Sequence, residues 1–324
     1  MTWPLRLQTP LRGISRAARY IQAMFPPAVL VPIGLVQFFS VYLALEALAG
    51  VAPLRIGGYA VLGAAATVLW TLLIRIDDDL TDAGHDARMA AAGDPRYRTR
   101  PTVTGAITRR ELRVLQGTTL GLFVGTNLVF GGRAMRIAAV GGYVVTWLGF
   151  RWFFIGSLAR GAPPLAYLAR KILTVLFGLY ALAVFADDFG ARGLTGWVVP
   201  LLLAPCAGVA AWETARKIRM PGDETDYATY SKALGWRTAA LLPAAFVTLS
   251  VACLLPVSGV AGLGPGYAAA LLVAAAVTVG ACLRFRFRPS RARARLGGYA
   301  QLYGVVAHGG LALALLVHHG VVRA

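Results

Sequence analysis

The chain has 324 residues, of which 57% are hydrophobic and only 14% charged, and its mean hydropathy is +0.64. That composition excludes an ordinary soluble domain. The formal net charge of +18 would suit nucleic acid on a soluble surface, but here the basic residues are sorted by segment. No nucleic-acid partner is expected, and no motif implies a protein partner.

Nine apolar runs follow one another, at 26–49, 55–76, 112–132, 134–156, 165–186, 194–213, 236–256, 265–284 and 300–320. Each is about 20 residues long, enough to cross roughly 30 Å of hydrocarbon as a helix. The fold class is therefore an all-α membrane protein of nine transmembrane helices. With the N-terminus in the cytoplasm, 27 of the 32 Lys and Arg residues fall on the cytoplasmic side, leaving only Arg55, Arg133, Arg136, Arg192 and Arg323 outside. The positive-inside rule thus supports nine spans with the C-terminus outside.

Residues 1–25 carry Arg6, Arg12, Arg16 and Arg19 without a long apolar core or a small-residue cleavage site. They are read as an interfacial amphipathic segment, the alternative being a disordered arm. Residues 26–324 then form one catalytic transmembrane domain, with long cytoplasmic loops at 77–111 and 214–235. Cys206, Cys253 and Cys282 lie within apolar runs and read as small core residues. Gln37, Asn127 and His308, polar within spans, are expected to be helix–helix contacts.

The first chemically distinctive stretch is RIDDDLTDAGHD, Arg75–Asp86, with five aspartates in twelve residues. Asp78, Asp82 and Asp86 recur every four residues, which on a helix puts their carboxylates in one column. Like charges so placed repel, and a divalent cation resolves the conflict. Oxygen-only ligands select magnesium, calcium or manganese, and magnesium completes its shell with water and substrate phosphates. The calcium-loop spacing D-x-D-x-D-G is absent.

The second stretch is WETARKIRMPGDETDYATYSKALG, Trp212–Gly235. Glu213, Asp223, Glu224 and Asp226 supply oxygens, and Arg216, Lys217, Arg219 and Lys232 supply cations suited to phosphate. Trp70 before Arg75-Ile76 and Trp212 before Arg216-Lys217-Ile218 form a weak internal echo, consistent with a four-helix unit used twice plus a closing helix.

These residues resemble the UbiA superfamily of intramembrane prenyltransferases. Its first motif, N-x-x-x-D-x-x-x-D followed by Arg-Pro and Gly, is matched by Asp78, Asp82 and Asp86 and then Arg100-Pro101 and Gly105. RKIRMPGDE with TYSKALG resembles the second motif of a subgroup. Asp78 stands where most members have Asn, and Met24-Phe25-Pro26-Pro27 stands where members that prenylate aromatic acids have an Arg.

The resemblance implies a UbiA-like bundle surrounded by membrane lipids and an isoprenyl diphosphate substrate. It also implies Mg2+ held by Asp78, Asp82, Asp86 and an acid of the second motif, with Asp223 and Glu224 favoured over Glu213 and Asp226. Arg75, Arg100, Arg216, Lys217, Lys171 and Lys232 are the expected diphosphate contacts. Ionisation of the allylic C–O bond at the cytoplasmic edge, with the carbocation kept in an apolar bundle, follows from that chemistry. Trp70, Trp147, Phe150, Trp152, Phe153, Tyr180 and Trp212 are either cation-facing rings or ordinary packing and interface aromatics.

Three functions compete: prenyl transfer to a lipophilic or aromatic acceptor, terpene cyclisation without an acceptor, and transport. Transport is disfavoured because the charge is concentrated at one membrane edge rather than at the midplane. The Ala, Gly and Arg bias with only three lysines suggests a bacterial cell-membrane protein.

Overall fold

The structure, a computed structural model, describes residues 8–151, 173–190, 194–224 and 229–323. Helix α1 (Gln8–Met24) precedes α2 (Pro27–Leu48), strand β1 (Leu54–Ile56), α3 (Gly58–Ala91) and the one-turn α4 (Pro95–Arg98). Then come α5 (Arg109–Phe130), α6 (Arg133–Arg151), α7 (Val175–Phe189) and α8 (Val198–Ala215). Short α9 (Tyr230–Leu234) and α10 (Trp236–Ala239) lead into α11 (Leu241–Val260) and α12 (Pro265–Phe287). The last span is α13 (Gly297–Gly304), a π turn over 305–309 and α14 (Gly310–His319), followed by β2 (Val321–Arg323).

Among the described residues, six helices are long and apolar enough to cross a membrane: α2, α3, α8, the α10–α11 pair, α12 and the α13–α14 unit. The protein is a multi-pass membrane protein. The predicted spans 112–132, 134–156 and 165–186 fall on α5, α6 and α7, and the last two run into residues 152–172, outside the described ones.

One boundary departs from the sequence reading. The segment 77–91, expected to be loop, continues α3. No Gly or Pro interrupts Thr71–Asp82, and at 1.5 Å per residue the 34-residue helix is about 50 Å long, well beyond the hydrocarbon thickness. The aspartates stand on that overhang.

Inside hydrocarbon, helices gain little from burying apolar surface and associate instead through close packing of small residues. Gly63 and Gly142 show this: a Cβ would come within 2.8 Å of the Phe38 ring and within 2.4 Å of the Trp70 ring. Trp70 is fully buried, with ring centroids 4.8 Å from Phe177, 5.6 Å from Phe123 and 6.0 Å from Tyr180. Trp70 and Tyr180 are therefore packing residues, whereas Trp147 and Trp212 are exposed on the outer surface. Asn127 is a helix–helix contact as expected, donating to the Phe123 carbonyl and accepting from the Tyr180 hydroxyl. Cys206, Cys253 and Cys282 are free thiols at part-buried or buried positions. His308, in the π turn, faces Gly208 of α8.

At the end away from the aspartates, α7 fastens its neighbours. Asp187 accepts from the Ala134 and Met135 N–H groups at the start of α6 (3.0 and 2.7 Å), and Asp188 accepts from the Tyr42 hydroxyl of α2 (2.6 Å). Strands β1 and β2 pair in parallel, Leu54 opposite Val321, joining the α2–α3 connection to the C-terminal end.

Candidate active site

Helix α3 presents Arg75, Asp79, Asp82 and Asp86 along one face. Arg75 Nη2 lies 3.0 Å from Asp79 Oδ1 and Nη1 lies 4.0 Å from Asp78 Oδ2, while Arg100 Nε is 3.9 Å from Asp86 Oδ2. Asp79 and Asp86 are buried, Asp78 is about one-third exposed and Asp82 is exposed. Asp77 is buried on another face, where the Gln116 side chain of α5 donates to it.

Helix α1 lies against this site. The Tyr20 hydroxyl donates to Asp79 Oδ2 at 2.6 Å, and the Arg16 side chain donates to the carbonyls of Gly105 and Ala106 and sits 3.4 Å from Glu111. Burial, reinforced by the hydrogen bond to Asp79, pushes the Tyr20 phenol well above its ordinary range, so it stays a donor. Helix α1 is thus docked on the acidic end, through Asp79 of α3, the Gly105–Ala106 loop and Glu111 of α5.

The second motif is anchored by Glu213 on the last turn of α8. Its carboxylate lies 2.8 Å from Lys217 Nζ and 2.7 Å from Arg216 Nη2. Glu213 and Lys217 are both buried. Burial lowers the Lys217 ammonium below the ordinary lysine range, against the pull of Glu213, and the Asp78 carboxylate is close enough to add to that pull. The Lys217 ammonium thus lies within electrostatic reach of an aspartate of the first motif.

The loop beyond is shaped by Thr229, Tyr230 and Ser231. Thr229 donates to Glu224 at 2.6 Å and caps α9 by accepting from the Lys232 N–H; Tyr230 N–H donates to the Lys217 carbonyl; Ser231 accepts from the Arg219 N–H. The T-Y-S sequence therefore acts as a clamp on residues 217–224.

Each described acid of the second motif has a partner within the protein. Asp223 lies 3.0 Å from Arg291 and Glu224 is held by Thr229, while Glu213 holds Arg216 and Lys217. Among the described residues no three carboxylate, His or Cys groups converge as a metal cage. Lys171 and Asp226 lie outside the described residues. Asp79, Tyr20 and Arg291 escaped the sequence reading. Asp79 could have been found from Arg75 four residues earlier on the same helical face, whereas Tyr20 and Arg291 carry no local signal.

The whole arrangement can be compared with solved structures. The chain superposes on an apo structure of a UbiA homolog from Aeropyrum pernix K1 with a TM-score of 0.61 at 18% identity, covering 87% of this chain and 96% of that one. The fold is UbiA-like. A digeranylgeranylglyceryl phosphate synthase matches with a TM-score of 0.62 at 14% identity, over 94% of this chain and 99% of that one. No protein-family model and no curated protein matches the sequence. The two motifs stand at the C-terminal ends of α3 and α8.

Proposed function

We propose that the protein is a magnesium-dependent intramembrane prenyltransferase that ionises an isoprenyl diphosphate at the cytoplasmic face and transfers the prenyl group to a lipophilic acceptor. The observation that carries this reading is a UbiA-like bundle in which α3 sets Arg75, Asp79, Asp82 and Asp86 along one face and α8 ends on the buried Glu213–Lys217 pair.

The residues fit a magnesium ion held partly by substrate. Asp78 and Asp82 are one helical turn apart, with Asp82 exposed, so one or two carboxylates can bind while diphosphate oxygens and water complete the shell. They do not fit an all-protein cage. When bound, the ion would neutralise the charge that develops on the departing diphosphate.

Arg75, Arg100 and Lys217 bring positive charge to the same place. The allylic C–O bond breaks with its electron pair leaving on diphosphate. The nucleophilic atom of the acceptor then bonds to the prenyl carbon and gives up its proton. The packed helices beneath keep water from the cation.

The test is turnover by the purified protein of geranyl, farnesyl and geranylgeranyl diphosphates with magnesium, read by mass spectrometry with and without an added lipid pool. Prenylated lipid and released diphosphate are expected, lost on chelation and in Asp82→Asn. A cyclic hydrocarbon or terpene alcohol formed without acceptor would replace transfer by cyclisation. Undiminished diphosphate release in an Asp79→Asn, Asp82→Asn variant would sink both.

A further inference from the structure

A cleft of about 540 Å³ opens behind the second motif, lined by Arg216, Arg219, Asp223, Arg295 and the apolar Ile218 and Met220. It sits between the end of α8, the loop that follows it and the start of α13, whose Gly297 packs on the Arg216 backbone. Its floor is firm. Ile218 and Leu296 are buried in a small core with Tyr230, Ala240 and Phe285, distinct from the main core of the bundle.

The charge in the cleft is unbalanced. Asp223, its one acidic lining residue, is matched by Arg291, and Arg216 shares Glu213 with Lys217. No ion pair among the described residues accounts for Arg219 or Arg295. Lys217 is buried against Glu213, whereas its neighbour Arg216 is part-exposed and lines the cleft, with its guanidinium 4.9 Å from the centre of the exposed Trp212 ring. Two consecutive cations rooted on one carboxylate thus have different surroundings, one buried and one lining the cleft.

We infer that this cleft is a second anion site that takes the phosphate-bearing headgroup of a membrane lipid, the acceptor class of the proposed transferase. Guanidinium groups match phosphate oxygens in paired hydrogen bonds, and the cleft adds apolar lining from Ile218, Met220 and Ala294 for the part of the lipid just below its phosphate. Exposed Trp212 stands beside Arg216 at the edge of the cleft, a residue type enriched where membrane meets water. A cyclase, with one substrate, has no use for a second anion site beside its diphosphate site. The inference rests on the proposed transferase for the word acceptor, but the binding site stands on its own.

The experiment is native mass spectrometry of the full-length protein in detergent with dioleoyl phosphatidic acid or dioleoylglycerol, alongside diphosphate release from geranylgeranyl diphosphate. Wild type should retain phosphatidic acid and not the neutral lipid. Arg219→Gln with Arg295→Gln should weaken retention about tenfold or more, as loss of charge-assisted hydrogen bonds predicts, with Arg219→Lys and Arg295→Lys recovering part of it. A thermal midpoint in detergent equal to that of wild type would show that the glutamine variant is folded.

Retention unchanged by the glutamine variant, equal binding of the neutral lipid, or displacement by inorganic diphosphate at the concentration that fills the Asp78 site would overturn the inference. Displacement by inorganic phosphate as effectively as by lipid would assign the cleft to a free anion instead and overturn the lipid assignment. Failure of diphosphate turnover with phosphatidic acid still lost in the variant would sink the transferase and leave the anion site standing.

Discussion

The Tyr20 hydroxyl, on a helix outside the spanning bundle, donates a 2.6 Å hydrogen bond to Asp79 in the middle of the acidic column. Replacing Tyr20 by Phe removes the donor and leaves a buried carboxylate oxygen short of a partner. A bond to a charged group is worth about 1.5–3 kcal/mol. The expected result is faster proteolysis within α1 and a raised KM for the diphosphate, measured by limited digestion and steady-state kinetics; an unchanged digestion pattern would refute the docking.

Asp77 and Asp79 are two residues apart yet serve different neighbours. Asp79 meets Arg75 and Tyr20, whereas Asp77 meets Gln116 between α3 and α5. Asp79→Asn should reduce diphosphate release by about a hundredfold, in line with removing a group that positions transition-state charge. Asp77→Asn keeps a hydrogen-bonding amide toward Gln116 and should stay within a few-fold of wild type. Equal losses in the two would contradict the division of labour.

Glu213 holds Arg216 and Lys217 together. Glu213→Gln leaves the buried Lys217 without its carboxylate, and breaking a buried pair in this way costs about 3–5 kcal/mol. A fall in thermal midpoint in detergent should accompany loss of turnover, and a midpoint equal to wild type would count against the arrangement.

Gly142 and Gly141 provide a matched pair. A Cβ at Gly142 would lie 2.4 Å from the Trp70 ring, while at Gly141 it would meet nothing within 4 Å. Overpacking of this kind costs about 1–3 kcal/mol. Gly142→Ala should lower the thermal midpoint and Gly141→Ala should not.

The start of α5 is sealed by a capping box in which Glu111 N–H donates to Thr108 Oγ1 and Thr108 N–H donates to Glu111 Oε2. These bonds lower the Glu111 carboxyl below its ordinary value of 4.5. With the folded value depressed, the contribution is present above pH 4.5 and fades as pH falls through the folded value. Thr108→Ala should cost about 1 kcal/mol near neutral pH, and the gap to wild type should narrow on acidification in parallel denaturation curves.

Much of this molecule could be read from its residues because membrane helices announce themselves by length and apolarity, and because Asp78, Asp82 and Asp86 share a helical period. What escaped depends on distant partners. Nothing near Asp223 in the sequence foretells Arg291, 68 positions later, and nothing near Tyr20 foretells Asp79. The end of α3 was misplaced because charged residues ended the hydropathy signal while no proline stopped the helix before Ala91.

That overlong helix also fixes when the acidic groups become ordered. The same rod that wedges Trp70 among Phe123, Phe177 and Tyr180 continues without a joint into Asp78, Asp79, Asp82 and Asp86. A loop carrying these carboxylates would have to freeze its backbone each time a ligand arrived, at about 1–2 kcal/mol per residue. Here the spacing of the aspartates is set once, when the bundle assembles, so each arriving ligand meets a ruler already cut to length.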